Sequence, residues 1–356
     1  MAITRLPLKS EYAAADMGRA TKGAAQGYLA RTYLYQIGMD KENTLATYQL
    51  VYDLTSEIMA SGQYSLMNNY AQIFEPIGEN GSESIFELQF IEGSSENQPT
   101  STGTINSVFT NNRGEWGWGF QQPTQNLFDA YGSQDPRLFC SLYGSGVNDG
   151  VYQGKKHKFL EAKGSMTPYY NRKTALAEQA ALAKSSGANI RLMRYAEILF
   201  NHAEAAIQLG KLGEAEDNIE MVNSRARTST YPCGWKIGTL SYESTGWSNN
   251  IPRVGIAGLS KDDAITTLLA EKRKELSNES LRYWDLVRTG KYLDMLDVKK
   301  ATFKNMDGTL LRYKDIDLRG NCLSHCIDGA GAVKVPLMPI PLVEVNSWGL
   351  TQNIGY

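Results

Sequence analysis

The chain has 356 residues, 42% of them hydrophobic, and a formal net charge of −2. This length and composition allow a large buried core, and the near-neutral charge excludes the basic surface of a nucleic-acid-binding or anionic-lipid-binding protein. No stretch approaches the ~18 apolar residues of a membrane-spanning helix, and the N-terminal residues lack the charged, apolar and small-residue zones of a signal peptide.

Two helices are predicted near the N-terminus. Small and aromatic residues recur at helical spacing from Arg19 to Gly38, and a second apolar stripe runs from Thr44 to Ala60. Two adjacent helices with a short connection are typical of an αα-hairpin, which we place at residues 18–62.

The middle of the chain, residues 68–187, has no helical periodicity and is rich in Gly, Asn, Ser, Gln and Pro. Within it Phe86, Leu88 and Phe90 alternate with polar residues, which predicts a half-buried strand with these three side chains on the buried face. Loops of this length are uncommon in compact domains unless they carry function. We therefore expect ligand-binding residues in this region.

Helical periodicity returns in the second half of the chain. A helix that begins at Ile190 is predicted to form a second hairpin over residues 190–227. A loop-rich stretch, residues 228–259, separates this hairpin from the next one.

A third hairpin is predicted at residues 260–290. Ser260 and Asp263 have the spacing of an N-cap box that opens its first helix. Trp284 falls on the apolar stripe of the second helix, so we expect it in the core. The last segment, residues 291–356, is irregular.

Six short blocks of sequence, spread over nearly the whole chain, occur together in a characteristic order. They are Gly18-Arg19-Ala20-Thr21-Lys22-Gly23-Ala24-Ala25, Pro123-Thr124 with Leu127, Asp135-Pro136-Arg137, Ala203-Glu204-Ala205, Glu271-x-Arg273-x-Glu275-Leu276 followed by Glu279, Arg282, Trp284-Asp285-Leu286 and Arg288, and Pro339-Ile340-Pro341 with Gln352-Asn353-x-Gly355-Tyr356. Together they resemble the signature of the SusD/RagB family of surface nutrient binders. Ser280 departs from the pattern, because the family usually has Gly at that position.

The resemblance implies a mainly α fold. We expect stacked TPR-like helical hairpins, a SusD-like α/α superhelix, with a long loop-rich region that contains a few short strands. Each hairpin has an apolar stripe that it cannot cover alone, so the hairpins must stack to be stable. The whole chain, residues 1–356, is expected to form a single SusD-like domain.

The resemblance also implies a function. Family members bind oligosaccharide without catalysis at the bacterial outer-membrane surface and deliver it to a SusC-like TonB-dependent transporter. They are lipoproteins with an export signal and a lipid-anchoring Cys before the block that begins at Gly18, so we expect this chain to be an N-terminally truncated fragment. Two alternatives stay open: a peptide-binding RagB-like uptake component and an intracellular helical-repeat adaptor that binds protein.

Two groups of aromatic and polar residues in the loop-rich stretches are candidates for ligand binding. The first consists of Trp116, Trp118 and Phe120, flanked by Asn112, Arg113 and Glu115; the second consists of Trp235, Tyr242 and Trp247. A flat aromatic face suits the C–H face of a sugar ring, and planar polar groups can bind its hydroxyls. The alternative is that one or both Trp side chains of the first group pack beneath the loop as a satellite core.

His202, Glu204 and Cys233 resemble the zinc-deaminase pattern, in which His and two Cys bind the metal and Glu transfers the proton. Lys236 stands where the second Cys is needed, and an ammonium group cannot replace a thiolate ligand. We therefore interpret His202 as a helix residue that makes a hydrogen bond.

Other signs of metal or enzyme chemistry are also incomplete. Cys322, His325 and Cys326 form one ligand cluster where structural zinc sites use two, so a disulfide or free thiols are favoured. Residues 305–309 resemble a phosphatase loop but begin with Asn, which predicts a hairpin turn. The carboxylates between Glu271 and Glu279 lie among Arg and Lys, which favours ion pairs. We predict a binding protein without catalytic residues, metal or cofactor.

Overall fold

The computed structural model describes residues 2–39, 42–92, 103–112, 117–132, 135–144, 151–152, 155–156, 167, 169–175, 185–229, 235–236, 241–242, 251–291, 303–304, 310–311 and 340–352. The α-helices are α1 (Ala2–Arg5), α2 (Lys22–Met39), α3 (Thr44–Ala60), α4 (Asn106–Thr110), α5 (Gln125–Tyr131), α6 (Arg137–Ser141), α7 (Tyr195–Gln208), α8 (Leu212–Thr228), α9 (Lys261–Glu275), α10 (Arg282–Arg288) and α11 (Leu342–Trp348). The strands are β1 (Ser84–Leu88), β2 (Leu142–Gly144), β3 (Val151–Tyr152), β4 (Lys155–Lys156), β5 (Tyr169–Asn171), β6 (Ile190–Arg194), β7 (Trp235–Lys236), β8 (Ser241–Tyr242), β9 (Phe303–Lys304) and β10 (Leu310–Leu311).

The scaffold consists of stacked helical hairpins, which confirms the predicted mainly α fold. Helices α2 and α3 pack against each other, α7 packs against α8, and α9 is followed by the shorter α10. The hairpins stack because α3 packs on α7, α7 packs on α9, and α10 packs on α2. The predicted helix from Thr44 to Ala60 is confirmed as α3.

Helix α7 lies at the centre of this stack. All of its residues except the last are buried, including four polar ones, because neighbouring helices cover it on several sides. Each polar side chain contacts a different helix: Glu197 binds Arg31 of α2, His202 Nδ1 lies 2.8 Å from the Thr55 hydroxyl of α3, Asn201 accepts from Lys272 of α9, and Glu204 binds Arg288 of α10. The prediction that His202 is a hydrogen-bonded helix residue is confirmed.

The ends of the third hairpin follow local sequence rules. The Ser260 hydroxyl accepts a hydrogen bond from the Asp263 backbone N–H at 3.2 Å, which confirms the predicted N-cap. Gly290 follows α10 with a φ of +70°, a left-handed conformation that glycine adopts without a steric penalty.

The stretch before α7 forms a strand rather than the helix predicted from Ile190. Strand β6 pairs antiparallel with β1. The strand predicted around Phe86 is present, but its buried face is wrong: Glu87 is buried and Leu88 is exposed. This face differs from the prediction for two reasons. Bulges in β1 break the simple alternation of buried and exposed residues, and Arg191 lies opposite Glu87, 3.8 Å from its carboxylate.

The remaining described strands form short antiparallel pairs, β2 with β5, β3 with β4, β7 with β8, and β9 with β10. A few short strands were predicted for the loop-rich region, and they are present. Residues 305–309 lie outside the described residues, so the hairpin turn expected there stays a prediction.

Trp284 is not in the core, contrary to the prediction. It is 49% exposed, whereas the next two residues, Asp285 and Leu286, are buried. Asp285 binds Lys272 of α9 and Arg288 of α10. Successive helical residues differ by about 100° in direction, so turning Asp285 and Leu286 inward turns Trp284 towards solvent.

A network of buried ion pairs joins distant parts of the chain. Glu275 of α9 binds Arg225 of α8 at 2.5 Å and Arg194 of β6 at 3.0 Å, and lies 3.6 Å from Arg137 of α6. Arg194 and Arg225 both bind Glu83 as well. This network confirms that the acidic and basic residues of the third hairpin join helices and loops to one another.

The Glu275 carboxylate is strongly stabilised in its charged form. Burial by itself raises the pKa of the group, but Arg225, Arg194 and Arg137 outweigh burial and lower the pKa to about 2. Glu275 therefore stays ionised at neutral pH, in the charge state that the surrounding guanidinium groups require.

Among the described helices, none is both long and apolar enough to cross a membrane. In the same part of the chain, no group of three or more His, Cys, Asp or Glu side chains could bind a metal ion. Cys140 is buried. Cys233, Cys322, His325 and Cys326 lie outside the described residues, so the expectations for them stay predictions.

Candidate functional site

Three aromatic side chains form a cluster on the surface of the loop-rich region, here called the aromatic surface. Phe109, Trp118 and Phe120 are 36%, 42% and 49% exposed. Their rings contact one another, with centroid distances of 4.9 Å for Phe109 and Trp118, 5.9 Å for Phe109 and Phe120, and 6.2 Å for Trp118 and Phe120. Large rings that stay exposed in mutual contact are typical of a binding surface.

The backbone fixes this cluster in place. After α4 the chain reverses, and residues 117–120 return beside the helix. Trp118 donates its N–H to the Val108 carbonyl at 2.8 Å, and Phe120 donates to the Phe109 carbonyl at 2.7 Å. Gly117 permits the close approach, because a Cβ atom there would lie 2.2 Å from the Asn111 backbone. The three rings are therefore positioned by main-chain hydrogen bonds.

The structure brings together two members of the first predicted group, Trp118 and Phe120, and adds Phe109, which the sequence did not indicate. Asn112 must be removed from the contact residues, because it is fully buried and its backbone N–H binds the Tyr143 hydroxyl at 3.1 Å. Phe109 was missed because the short α4 has too few residues to show helical periodicity.

The other predicted site residues stay predictions. Arg113, Glu115, Trp116 and Trp247 lie outside the described residues. Trp235 and Tyr242 are opposite each other in the pairing of β7 with β8, but their side chains are not described.

A cavity of about 1100 Å³ opens between α2, α10, β6 and the start of α4. We call it the α2–α10 cavity. Its lining contains side chains of several types: the aromatic residues Tyr35, Phe74 and Trp284, the amides Asn106, Gln121, Asn189 and Asn278, the hydroxyls Thr104, Ser107, Thr174, Ser186 and Ser280, and the charged residues Arg31, Lys173, Arg191, Glu75, Glu79, Glu92 and Glu279. Its volume is slightly above the roughly 300–1,000 Å³ that is usual for small-molecule binding sites.

One wall of the cavity is aromatic. Tyr35 of α2 and Trp284 of α10 meet edge to face, with ring centroids 6.5 Å apart. The Tyr283 ring also contacts the Trp284 ring, with centroids 5.3 Å apart, but Tyr283 does not line the cavity. The half-exposed indole of Trp284 thus borders the cavity.

The cations of the lining are held by the protein itself. Arg31 binds Glu197 through two nitrogens at 2.7 and 2.6 Å. Lys173 Nζ binds Glu279 at 2.6 Å and the Glu275 carbonyl at 2.9 Å. Burial lowers the pKa of Lys173 to about 8, against the opposing attraction of Glu279. Arg31 and Lys173 of the lining are therefore already paired with carboxylates of the protein.

The cavity and the aromatic surface are neighbours. Asn106 and Ser107 of α4 line the cavity, whereas Phe109 of the same helix belongs to the aromatic surface. Gln121, which also lines the cavity, directly follows Phe120. The two features therefore share α4 and the 120–121 segment as a common border.

The chain matches the family model described as the SusD family over residues 82–356. Among curated proteins, the chain is 34% identical over 108 residues to SusD-like protein P38 of Formosa agariphila, and 32% identical over 78 residues to a SusD-like protein of Bacteroides ovatus. These alignments cover 30% and 21% of this chain, and 18% and 14% of the two relatives.

Solved structures share the fold over almost the whole chain. A SusD superfamily protein from Bacteroides vulgatus superposes with a TM-score of 0.70 at 22% identity, covering 100% of this chain and 66% of its own. The surface glycan-binding protein A from Bacteroides thetaiotaomicron, in complex with laminarihexaose, gives 0.66 at 21% identity, covering 99% of this chain and 67% of its own. This chain thus spans about two thirds of the length of these solved chains.

Proposed function

The chain belongs to the SusD family, and from this premise we propose that it binds oligosaccharide without changing it chemically. The proposal extends to the setting of that family: a lipoprotein on the bacterial outer-membrane surface that delivers its ligand to a SusC-like TonB-dependent transporter. Several proteins of similar structure, among them surface glycan-binding proteins and a laminarin-binding SusD-like protein, support glycan as the ligand class.

The observation that carries the proposal is the aromatic surface. Trp118 and Phe120 are exposed although burial of such rings is strongly favourable, and Gly117 and main-chain hydrogen bonds hold them there. An exposed indole can stack on the C–H face of a pyranose ring, and the ring hydroxyls then remain available for polar neighbours. Stacking and hydrogen bonding need no catalytic group.

A binding screen with glycans and peptides tests this proposal. We expect a soluble oligosaccharide to bind, and Trp118→Ala to weaken it by more than about 1 kcal/mol, or roughly fivefold in Kd, because truncating a stacked aromatic ring removes a main contact. Titration calorimetry on the wild type and the variant measures both effects.

Trp348→Ala is a matched control, since Trp348 is 74% exposed on α11 and lies outside the aromatic surface. It should leave the affinity unchanged. Binding of peptides but no glycan would replace the proposal with the peptide-uptake alternative. A glycan whose affinity is unaffected by Trp118→Ala would show that the ligand does not bind at the aromatic surface.

A further inference from the structure

The α2–α10 cavity has the chemistry of a second ligand-binding region. We propose that it binds an uncharged oligosaccharide, and that such a ligand extends over α4 to the aromatic surface. The inference depends on the proposed function, since it specifies the class of glycan and the extent of the site.

The charge arrangement selects against anionic ligands. An acidic sugar would need a cation, but Arg31 is bound to Glu197, and Lys173 is bound to Glu279. Arg191 donates to the carbonyls of Asn189 and Glu75, at 2.8 and 3.0 Å. A uronate would therefore compete with protein oxygens for Arg31, for Lys173 and for the terminal nitrogens of Arg191, and would approach the acidic side chains of the lining at the same time.

The uncharged groups fit a sugar. The amides of Asn106 and Gln121 can both donate to and accept from hydroxyl groups, which matches the dual character of a sugar hydroxyl. Trp284 presents an indole on the wall, with Tyr35 set edge to face against it. An apolar ring face and neutral hydrogen-bonding groups are thus combined in one cavity, as in many small-molecule sites.

The common border with the aromatic surface sets the length of the ligand. Trp284 and Trp118 lie on separate features that meet at α4 and the 120–121 segment. A short sugar can contact one of these indoles, whereas a longer chain can contact both. The contribution of Trp284 should therefore depend on the length of the oligosaccharide.

The experiment titrates the protein with neutral gluco-oligosaccharides of two to eight units, including laminarihexaose, and with oligouronides of the same lengths. We expect the longer neutral ligands to bind at least fivefold more weakly to Trp284→Ala and disaccharide binding to stay unchanged in that variant. The longer oligouronides, which would have to enter the cavity, should bind at least tenfold more weakly than neutral ligands of the same length. Trp118→Ala should weaken ligands of every length.

Tyr283→Ala is the matched control, because Tyr283 is a half-exposed neighbour that does not line the cavity. Its affinities should equal those of the wild type, and thermal unfolding should show that both α10 variants are folded.

Dependence on Trp118 without dependence on Trp284 at any length would overturn the role of the cavity and leave the proposed function intact. Equal affinity for oligouronides would overturn the selectivity. If no glycan binds the wild type, the proposed function fails, and this inference fails with it.

Discussion

Trp284 shows how one buried charge determines the orientation of a neighbouring side chain. The apolar pattern of α10 is compatible with Trp284 pointing into the core, and the local sequence does not favour any other rotation of the helix about its axis. Asp285 determines this rotation, because its carboxylate is buried and paired with Lys272 and Arg288. An unpaired buried carboxylate is costly, so the helix adopts the rotation that keeps Asp285 paired. Trp284 is consequently available at the cavity.

The exposure of Trp284 leads to a stability prediction. Trp284→Ala should lower the free energy of unfolding by about 1–2 kcal/mol, well below the roughly 3–5 kcal/mol typical of a fully buried aromatic residue. Phe200→Ala provides the comparison, because Phe200 of α7 is fully buried and should show the larger loss. Urea unfolding measures both variants. Equal losses would mean that Trp284 is a core residue in solution.

At the level of elements, the connection between α9 and α10 explains the departure from the family pattern at Ser280. Both Asn278 and Ser280 have positive φ values, +61° and +62°. Asn tolerates this left-handed region better than most residues, whereas Ser pays the steric penalty of its Cβ. Glycine at this position in the family is therefore explained by the backbone, and the chain keeps the turn despite the substitution.

Ser280→Gly should consequently stabilise the protein. We expect the free energy of unfolding to rise by up to about 1 kcal/mol, because the penalty of the left-handed conformation exceeds the extra flexibility that glycine gives the unfolded chain. Ser280→Ala keeps the Cβ atom and should give no gain. Urea unfolding of the two variants without ligand distinguishes the removal of the Cβ atom from the removal of the hydroxyl. A destabilised Ser280→Gly variant would contradict the prediction.

At the level of the whole molecule, the sequence predicted what depends on local spacing. The cap at Ser260 and the helix from Thr44 to Ala60 follow from residues within a few positions of one another. Trp118 and Phe120 were found because aromatic residues among glycines in a long loop are unusual. The buried face of β1 could not be predicted, because it depends on Arg191, about a hundred residues away in the chain.

The cavity could not be predicted from the sequence either, because residues far apart in the chain form it. Its aromatic wall joins Tyr35 of α2 to Trp284 of α10, and its border with the aromatic surface comes from α4. Neither wall residue has a local sequence signal that indicates the other. The family resemblance predicted the stack of hairpins, but the relation between the cavity and the loops depends on contacts between residues far apart in the chain.

The ion-pair network around Glu275 makes the stability of the whole molecule depend on pH. It joins α6, β6, α8 and α9, so the loss of one carboxylate affects all of them. Glu275→Gln should destabilise the protein by about 3–5 kcal/mol at pH 7, because it leaves buried guanidinium groups without their partner. Asp16→Asn, in an exposed pair with Arg19, should cost less than about 1 kcal/mol.

The pH dependence of the stability difference between the wild type and Glu275→Gln tests whether the charge of Glu275 causes it. The folded-state pKa of Glu275 is about 2, below the ordinary value of 4.5, so its stabilising contribution is complete above pH 4.5 and is lost as the pH falls towards 2. Between pH 5 and pH 3 the gap in unfolding free energy between wild type and Glu275→Gln should therefore shrink by about 2 kcal/mol. Urea unfolding at several pH values measures the gap. A gap that stays constant would show that the variant is destabilised by altered packing, since only ionisation of Glu275 makes the difference depend on pH.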